Sequence, residues 1–122
     1  MAPAGTLVSN DEPLAKASTV SHPEIDRPAP SFAGRTVFIT GANGFIGRSL
    51  ATRLRELGAT VTGVDLVADP DGDILAGDTT DPESWSASLH GVDTVIHTAA
   101  LLGAAYSLET SWRVNVLGTS RV

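Results

Sequence analysis

The chain has no cysteine among its 122 residues, which excludes a disulfide framework and any thiolate metal or redox site. Lysine is nearly absent too: Lys16 is the only one. The acidic side chains outnumber the basic ones 14 to 8, giving a net charge of −6. A surface so balanced lacks the basic face that a nucleic-acid backbone requires. No apolar run approaches the 18 or more residues of a membrane span. The N-terminus has neither a basic cluster nor an apolar core of the secretory kind, only "TLV" at positions 6 to 8. These absences point to a cytoplasmic protein with no nucleic-acid and no membrane partner. Tyrosine is scarce as well, with Tyr106 alone.

What is present divides at about residue 33. Five of the seven prolines (Pro3, Pro13, Pro23, Pro28, Pro30) lie before that point, among Ala, Ser, Thr and charges of both signs. No period of 2 or 3.6 holds there, so residues 1–33 are expected to form a disordered tail. Residues 34–122 are expected to form one domain. "TVFIT" (36–40) is a short apolar run suited to a strand buried on both faces. Apolar residues at 46, 50, 54 and 57 then mark one face of a helix, with Gly58 at its C-terminal end. A second strand is expected at 59–65, a loop at 68–73 and a third strand at 74–78. Asp81-Pro82-Glu83 carries the signature of a helix start, with Asp81 as N-cap, and that helix is expected to end near Gly91. A fourth strand follows at 93–100. A last helix starts between Ala104 and Ser107. Alternation at this spacing implies an α/β fold, a Rossmann-type parallel sheet of about four strands with helices on both faces.

The seam "FITGANGFIG" (38–47) is the most informative stretch. Glycine costs backbone entropy, so Gly41, Gly44 and Gly47 at a strand-to-helix junction signal that something comes close to the backbone. A helix start carries unpaired N–H groups and a partial positive charge, and a pyrophosphate fits there. Gly41 would allow the turn, Gly44 the approach of phosphate, and Gly47 the close packing of helix on sheet. Ala42 and Arg48 exclude the nucleoside-triphosphate loop, which needs Gly and Lys at those places. Asp65 ends the second strand, 24 residues after Gly41, where a carboxylate can accept both ribose hydroxyls and repel a 2′-phosphate. No Arg or Lys lies between 56 and 112, so NAD is expected over NADP.

Together with "GDTTD" (77–81), "VDTVIHTAA" (92–100) and "NVLGT" (115–119), these motifs resemble the extended short-chain dehydrogenase/reductases. Within that superfamily the chain is most similar to the NAD-dependent epimerase/dehydratase group, which includes nucleotide-sugar epimerases and relatives of 3β-hydroxysteroid dehydrogenase. The resemblance implies that Gly41, Gly44 and Gly47 line the pyrophosphate, with backbone N–H groups from Phe45 and Ile46, and that Asn43 belongs to the cofactor-binding set. It implies that Asp65 holds the adenosine ribose, and that Asp78 and Thr79 lie beside the adenine. Ala99 and Ala100 would pass under the cofactor. Asn115 would brace backbone near the active site, and His97 would have a packing role rather than a catalytic one. Trp85 and Trp112 read as packing residues. The acidic loop Asp69, Asp71, Asp73 lacks the glycine and glutamate spacing of a calcium loop, and His22, His90 and His97 have no metal-ligand spacing.

The family's chemistry uses Tyr-x-x-x-Lys, in which lysine lowers the tyrosine pKa. Here Thr110 stands four residues after Tyr106. The expectation is therefore an incomplete domain, truncated before its fifth strand, that builds most of an NAD site without the hydride-transfer residues. The substrate of the full-length enzyme would be a sugar nucleotide, a steroid or a similar alcohol, and that enzyme could be a homodimer. Two rivals are a non-catalytic NAD-sensing module and an interaction piece with no ligand. An open fourth strand is an association hazard, so marginal stability and self-association of the fragment are expected.

Overall fold

A computed structural model describes residues 30–122, with Gly5 and Pro28 before them. Most of the expected tail thus lies outside the described residues. β1 (Thr36–Thr40) is followed by α1 (Phe45–Glu56), β2 (Thr60–Asp65), β3 (Ile74–Ala76) and β4 (Thr94–His97). A continuous helical run closes the chain: α2 (Leu108–Trp112), a π-helical stretch (Arg113–Gly118) and α3 (Thr119–Arg121). The four strands form one sheet, ordered β3-β2-β1-β4, and every pairing between them is parallel. Among the described residues no helix is long and apolar enough to cross a membrane.

β1 lies at the centre and is buried on both faces, as its unbroken apolar run requires. Its side chains alternate between two cores. Val37 and Ile39 pack with Val61, Ile74 and the Ala51–Leu54 face of α1. Phe38 points the other way, toward Val64 and Trp85, with Leu89 and Val92 at the margin. The Phe38 and Trp85 rings are stacked, 5.8 Å apart at 20°. α1 ends where Gly58 adopts a positive φ of 93°, and the amides of Leu57, Gly58 and Ala59 bond back to its last carbonyls.

The Asp81–Gly91 segment corrects the sequence reading. It folds as two short 3-10 turns, Pro82–Ser84 and Ser86–Leu89, instead of an α-helix. Asp81 makes no side-chain capping bond. The physical reason is Trp85, which sits between the two turns at φ −142° and ψ −15°, outside helical geometry. In that conformation its ring is buried against Phe38 and its indole N–H donates to the Asp78 carbonyl at 2.9 Å. Burial of one large aromatic outweighs the few hydrogen bonds of a single helical turn. The third and fourth strands are also shorter than the patterns suggested, ending at Ala76 and His97. In the last helix Ser107 is the N-cap, accepting from the Thr110 amide at 3.1 Å.

Candidate functional site

The strand order reverses between β1 and β4, the position at which parallel α/β sheets open a crevice beyond their carboxyl ends. A cleft of about 440 Å³ lies there. That is within the usual size of small-molecule sites. One wall is the Gly41–Gly44 turn, one is the exit of β2 at Asp65, and one is Asp78–Thr79 after β3. Ala99 and Ala100 supply the segment beyond β4.

Each wall is held from behind. Gly41 has φ +68°, and a β-carbon there would lie 2.7 Å from both Cα and N of Ala99, so only glycine lets the 98–100 segment cross the turn. A β-carbon on Gly47 would collide with the Gly41 carbonyl oxygen and lie 2.8 Å from Ala42 Cα. Gly47 therefore packs the first turn of α1 against the turn itself. Gly44 is the N-cap of α1, and no side chain caps it. The first amides of α1 consequently lack partners within the helix.

The Asp65 carboxylate accepts from the Asn43 amide at 2.9 Å through Oδ2, and from the Leu66 amide at 2.7 Å through Oδ1. Those bonds lock the Gly41–Gly44 turn to the end of β2 and leave further lone pairs on both oxygens. Asp78 uses one oxygen, Oδ1, to accept from the Thr80 amide and hydroxyl, both at 2.8 Å. Thr79 is buried beneath the C-terminal helical run, where a β-carbon on Gly118 would lie 2.8 Å from its hydroxyl. Asn115 clamps the backbone beyond β4 from both sides: its Oδ1 accepts from the Leu101 amide at 2.8 Å, and its Nδ2 donates to the Leu101 carbonyl at 2.9 Å.

Of the residues expected at a cofactor, the cleft gathers Gly41, Gly44, Asp65, Asp78, Thr79, Ala99 and Ala100. It does not take in Asn43, Phe45, Ile46 or Gly47. The Asn43 side chain donates to the Val67 carbonyl at 2.7 Å, bracing the exit of β2. Phe45 and Ile46 carry exposed side chains, so only their backbone could face an anion at the helix start. Sequence reasoning missed the opposite wall, made by Tyr106, Thr110, Arg113 and Val114. A π-helical stretch is a sign of local function, but no local residue pattern announces one. His97 is partly buried, and burial pushes its pKa below the usual histidine value. Among the described residues no three His, Asp or Glu side chains come together as a metal site.

The chain matches the model of the NAD dependent epimerase/dehydratase family over residues 37–122. The chain belongs to that family. NAD is the family's cofactor, and the cleft carries donors and acceptors of the kind a dinucleotide takes: two carboxylates and an uncapped helix start. Over 98 residues the chain is 38% identical to a 3 beta-hydroxysteroid dehydrogenase/Delta 5-->4-isomerase of Mycobacterium tuberculosis, covering 70% of this chain and 26% of that protein. It is 32% identical over 91 residues to a 2-alkyl-3-oxoalkanoate reductase of Stenotrophomonas maltophilia, covering 70% and 28%. The chain thus spans about a quarter of the length of these curated relatives. Among solved structures, a short-chain dehydrogenase/reductase superfamily protein from Agrobacterium tumefaciens with bound NAD aligns at TM-score 0.63 and 32% identity, over 71% of this chain and 27% of that one. The Bordetella bronchiseptica enzyme WbmH in complex with NAD+ aligns at 0.61 and 28%, over 71% and 33%.

Proposed function

We propose that this chain is the dinucleotide-binding portion of an NAD-dependent dehydrogenase or epimerase/dehydratase. The observation that carries the reading is the convergence of Gly41, Gly44, Asp65 and Asp78 on one cleft at the strand-order reversal. Asp65 and Asp78 would bind the adenosine half, and the turn and the start of α1 would bind the pyrophosphate. Ala99 and Ala100 would leave room for the second ribose. When bound, NAD accepts or donates a hydride; the chain's own residues orient it. No Tyr-x-x-x-Lys pair occurs in the 122 residues, and Thr110, not lysine, shares the cleft with Tyr106. The acid–base pair of the complete enzyme is therefore assigned to residues beyond this sequence. The substrate class is a steroid, a sugar nucleotide or a similar alcohol; the steroid dehydrogenase relative at 38% identity favours the first.

Calorimetric titration with NAD, NADP and ADP-ribose tests this reading. Saturable binding of NAD and ADP-ribose is expected, with NADP at least about tenfold weaker, because the Asp65 carboxylate would face its 2′-phosphate. Equal affinity for NADP, or no binding at all, refutes it. A second reading, an NAD-sensing module without catalysis, rests on the same missing Tyr-x-x-x-Lys pair. Hydride transfer by a longer form of the protein would decide against it.

A further inference from the structure

One polar chain runs beneath the cleft, and its donors all point one way. The Ala99 amide donates to the Thr40 hydroxyl at 3.4 Å, and Thr40 Oγ1 lies 2.5 Å from His97 Nδ1. On the far side of the ring, Nε2 lies 2.9 Å from Thr119 Oγ1, which donates to the Asn115 carbonyl at 2.6 Å. The Thr119 proton is thus committed, so Nε2 must carry a proton and donate it. Nδ1 must then accept from Thr40. Only the neutral ring with its proton on Nε2 satisfies the whole chain. Both ends of that chain touch the cleft: Ala99 lines it directly, and Asn115 clamps Leu101, which lines it next to Ala100.

We propose that His97 is a positioning residue that ties dinucleotide affinity to pH through the backbone floor of the cleft, an inference that rests on the NAD reading above. A proton on Nδ1 turns that atom into a donor aimed at Thr40 Oγ1, which already receives the Ala99 amide. The Thr40 hydroxyl proton then has no acceptor, and Thr40 is fully buried, so no water can replace it. Relief requires the Ala99 amide or the ring to move. Ala99 cannot move toward Gly41, whose backbone it already crosses with no room for a β-carbon. It moves at the cleft wall instead.

Among the described residues no charged side chain is hydrogen-bonded or ion-paired to the His97 ring. β1 presents Thr40 to the ring, and the helical run presents Thr119. Glu109 lies in the first turn of α2, and the other charged residues near these elements have partners or positions away from the ring. Asp93, just before β4, pairs with Arg35; Arg121 donates to the Thr80 carbonyl; Arg113 opens onto the cleft. Burial of the ring also favours the neutral form.

The test is NAD binding by the full chain from pH 7.5 to 5.0, read by calorimetry, with the three histidines followed by NMR. Affinity should fall by about fivefold or more across that range, because protonation and binding are linked. By the same linkage, adding NAD should move the His97 titration midpoint to lower pH. His97→Asn, which keeps an acceptor near Thr40 but cannot titrate, should bind more weakly at pH 7.5 and lose the pH dependence. Thr119→Val, away from the buried Thr40, gives a second variant and should also weaken binding. Saturable NAD binding at pH 7.5 with a His97 midpoint that NAD does not shift overturns this proposal alone. Absence of binding at pH 7.5 overturns the cofactor reading and this proposal with it.

Discussion

Gly44 and Gly47 are three residues apart in one turn, yet alanine at each should fail in a different way. At Gly47 the added β-carbon meets two backbone groups, the Gly41 carbonyl and Ala42 Cα, neither of which can rotate aside. Overpacking of this kind costs about 1–3 kcal/mol. Alanine also returns about 1 kcal/mol of helix propensity inside α1, so the clash wins only if the turn cannot relax. Its relaxation is opposed by the Asn43–Asp65 bond and by Ala99 lying on Gly41. We therefore expect Gly47→Ala to destabilise the domain by up to about 2 kcal/mol, a midpoint lowered by up to roughly 15 °C for a domain this size. At Gly44 the backbone sits at φ −69° and ψ 173°, open to any residue. Its β-carbon meets only the Gly41 carbonyl oxygen, at 3.1 Å. Gly44→Ala should thus melt within a few degrees of the parent and lose at least about tenfold in NAD affinity, because the methyl occupies the approach to the helix start. Thermal unfolding and calorimetry on both variants check this. A Gly47→Ala variant more stable than the parent would refute the packing argument, and a Gly44→Ala variant with unchanged affinity would refute the phosphate assignment.

Four further outcomes follow from the same geometry. Asp65→Ala strips the Asn43 and Leu66 amides of their acceptor, so it should cost about 1–3 kcal/mol in urea unfolding and abolish detectable NAD binding. Trp85→Ala empties the second core and should cost about 3–5 kcal/mol, enough to unfold a small domain, as circular dichroism would show. His97 has a folded pKa lowered by burial, so the unfolded chain binds its proton first; stability should be full above pH 6.5 and decline as pH falls below it, measured by urea midpoints from pH 7.5 to 5.0. β4 is an outer strand among the described residues and Val95 on it is 40% exposed, so sedimentation should show mass rising with concentration.

The first half of the domain was legible because its signals are local. β1 announces itself by an apolar run, α1 by its period and by Gly58, and Asp65 by its place at a strand end. The stretch from Asp81 to Gly91 misled because Asp-Pro-Glu opens a 3-10 turn as readily as an α-helix. The deciding term, burial of Trp85 against Phe38, joins residues 47 positions apart in the sequence. The far wall of the cleft was illegible for a similar reason. Tyr106, Thr110, Arg113 and Val114 reach it only because Gly118 seats the helical run on Thr79 and Asn115 ties it to Leu101. Such placements depend on tertiary packing, which has no period.

Asn43 shows how a motif residue can serve a site without lining it. Its amide is taken by Asp65 and its side-chain amide by Val67, so it fixes the distance between the Gly41–Gly44 turn and the Asp65 carboxylate. Thr40 does the same on the other side, holding Ala99 through its hydroxyl and Thr98 through its carbonyl. Between them, these two residues fasten the Gly41–Gly44 turn to both flanking strands. On the proposed reading a dinucleotide would be held here at two points, phosphate and ribose, whose separation in the ligand is fixed by covalent bonds. The site must therefore hold that separation fixed before the ligand arrives, since ordering it on binding would subtract from affinity. The polar side chains of the motif region bond backbone to backbone for that reason, and the glycines between them leave the space.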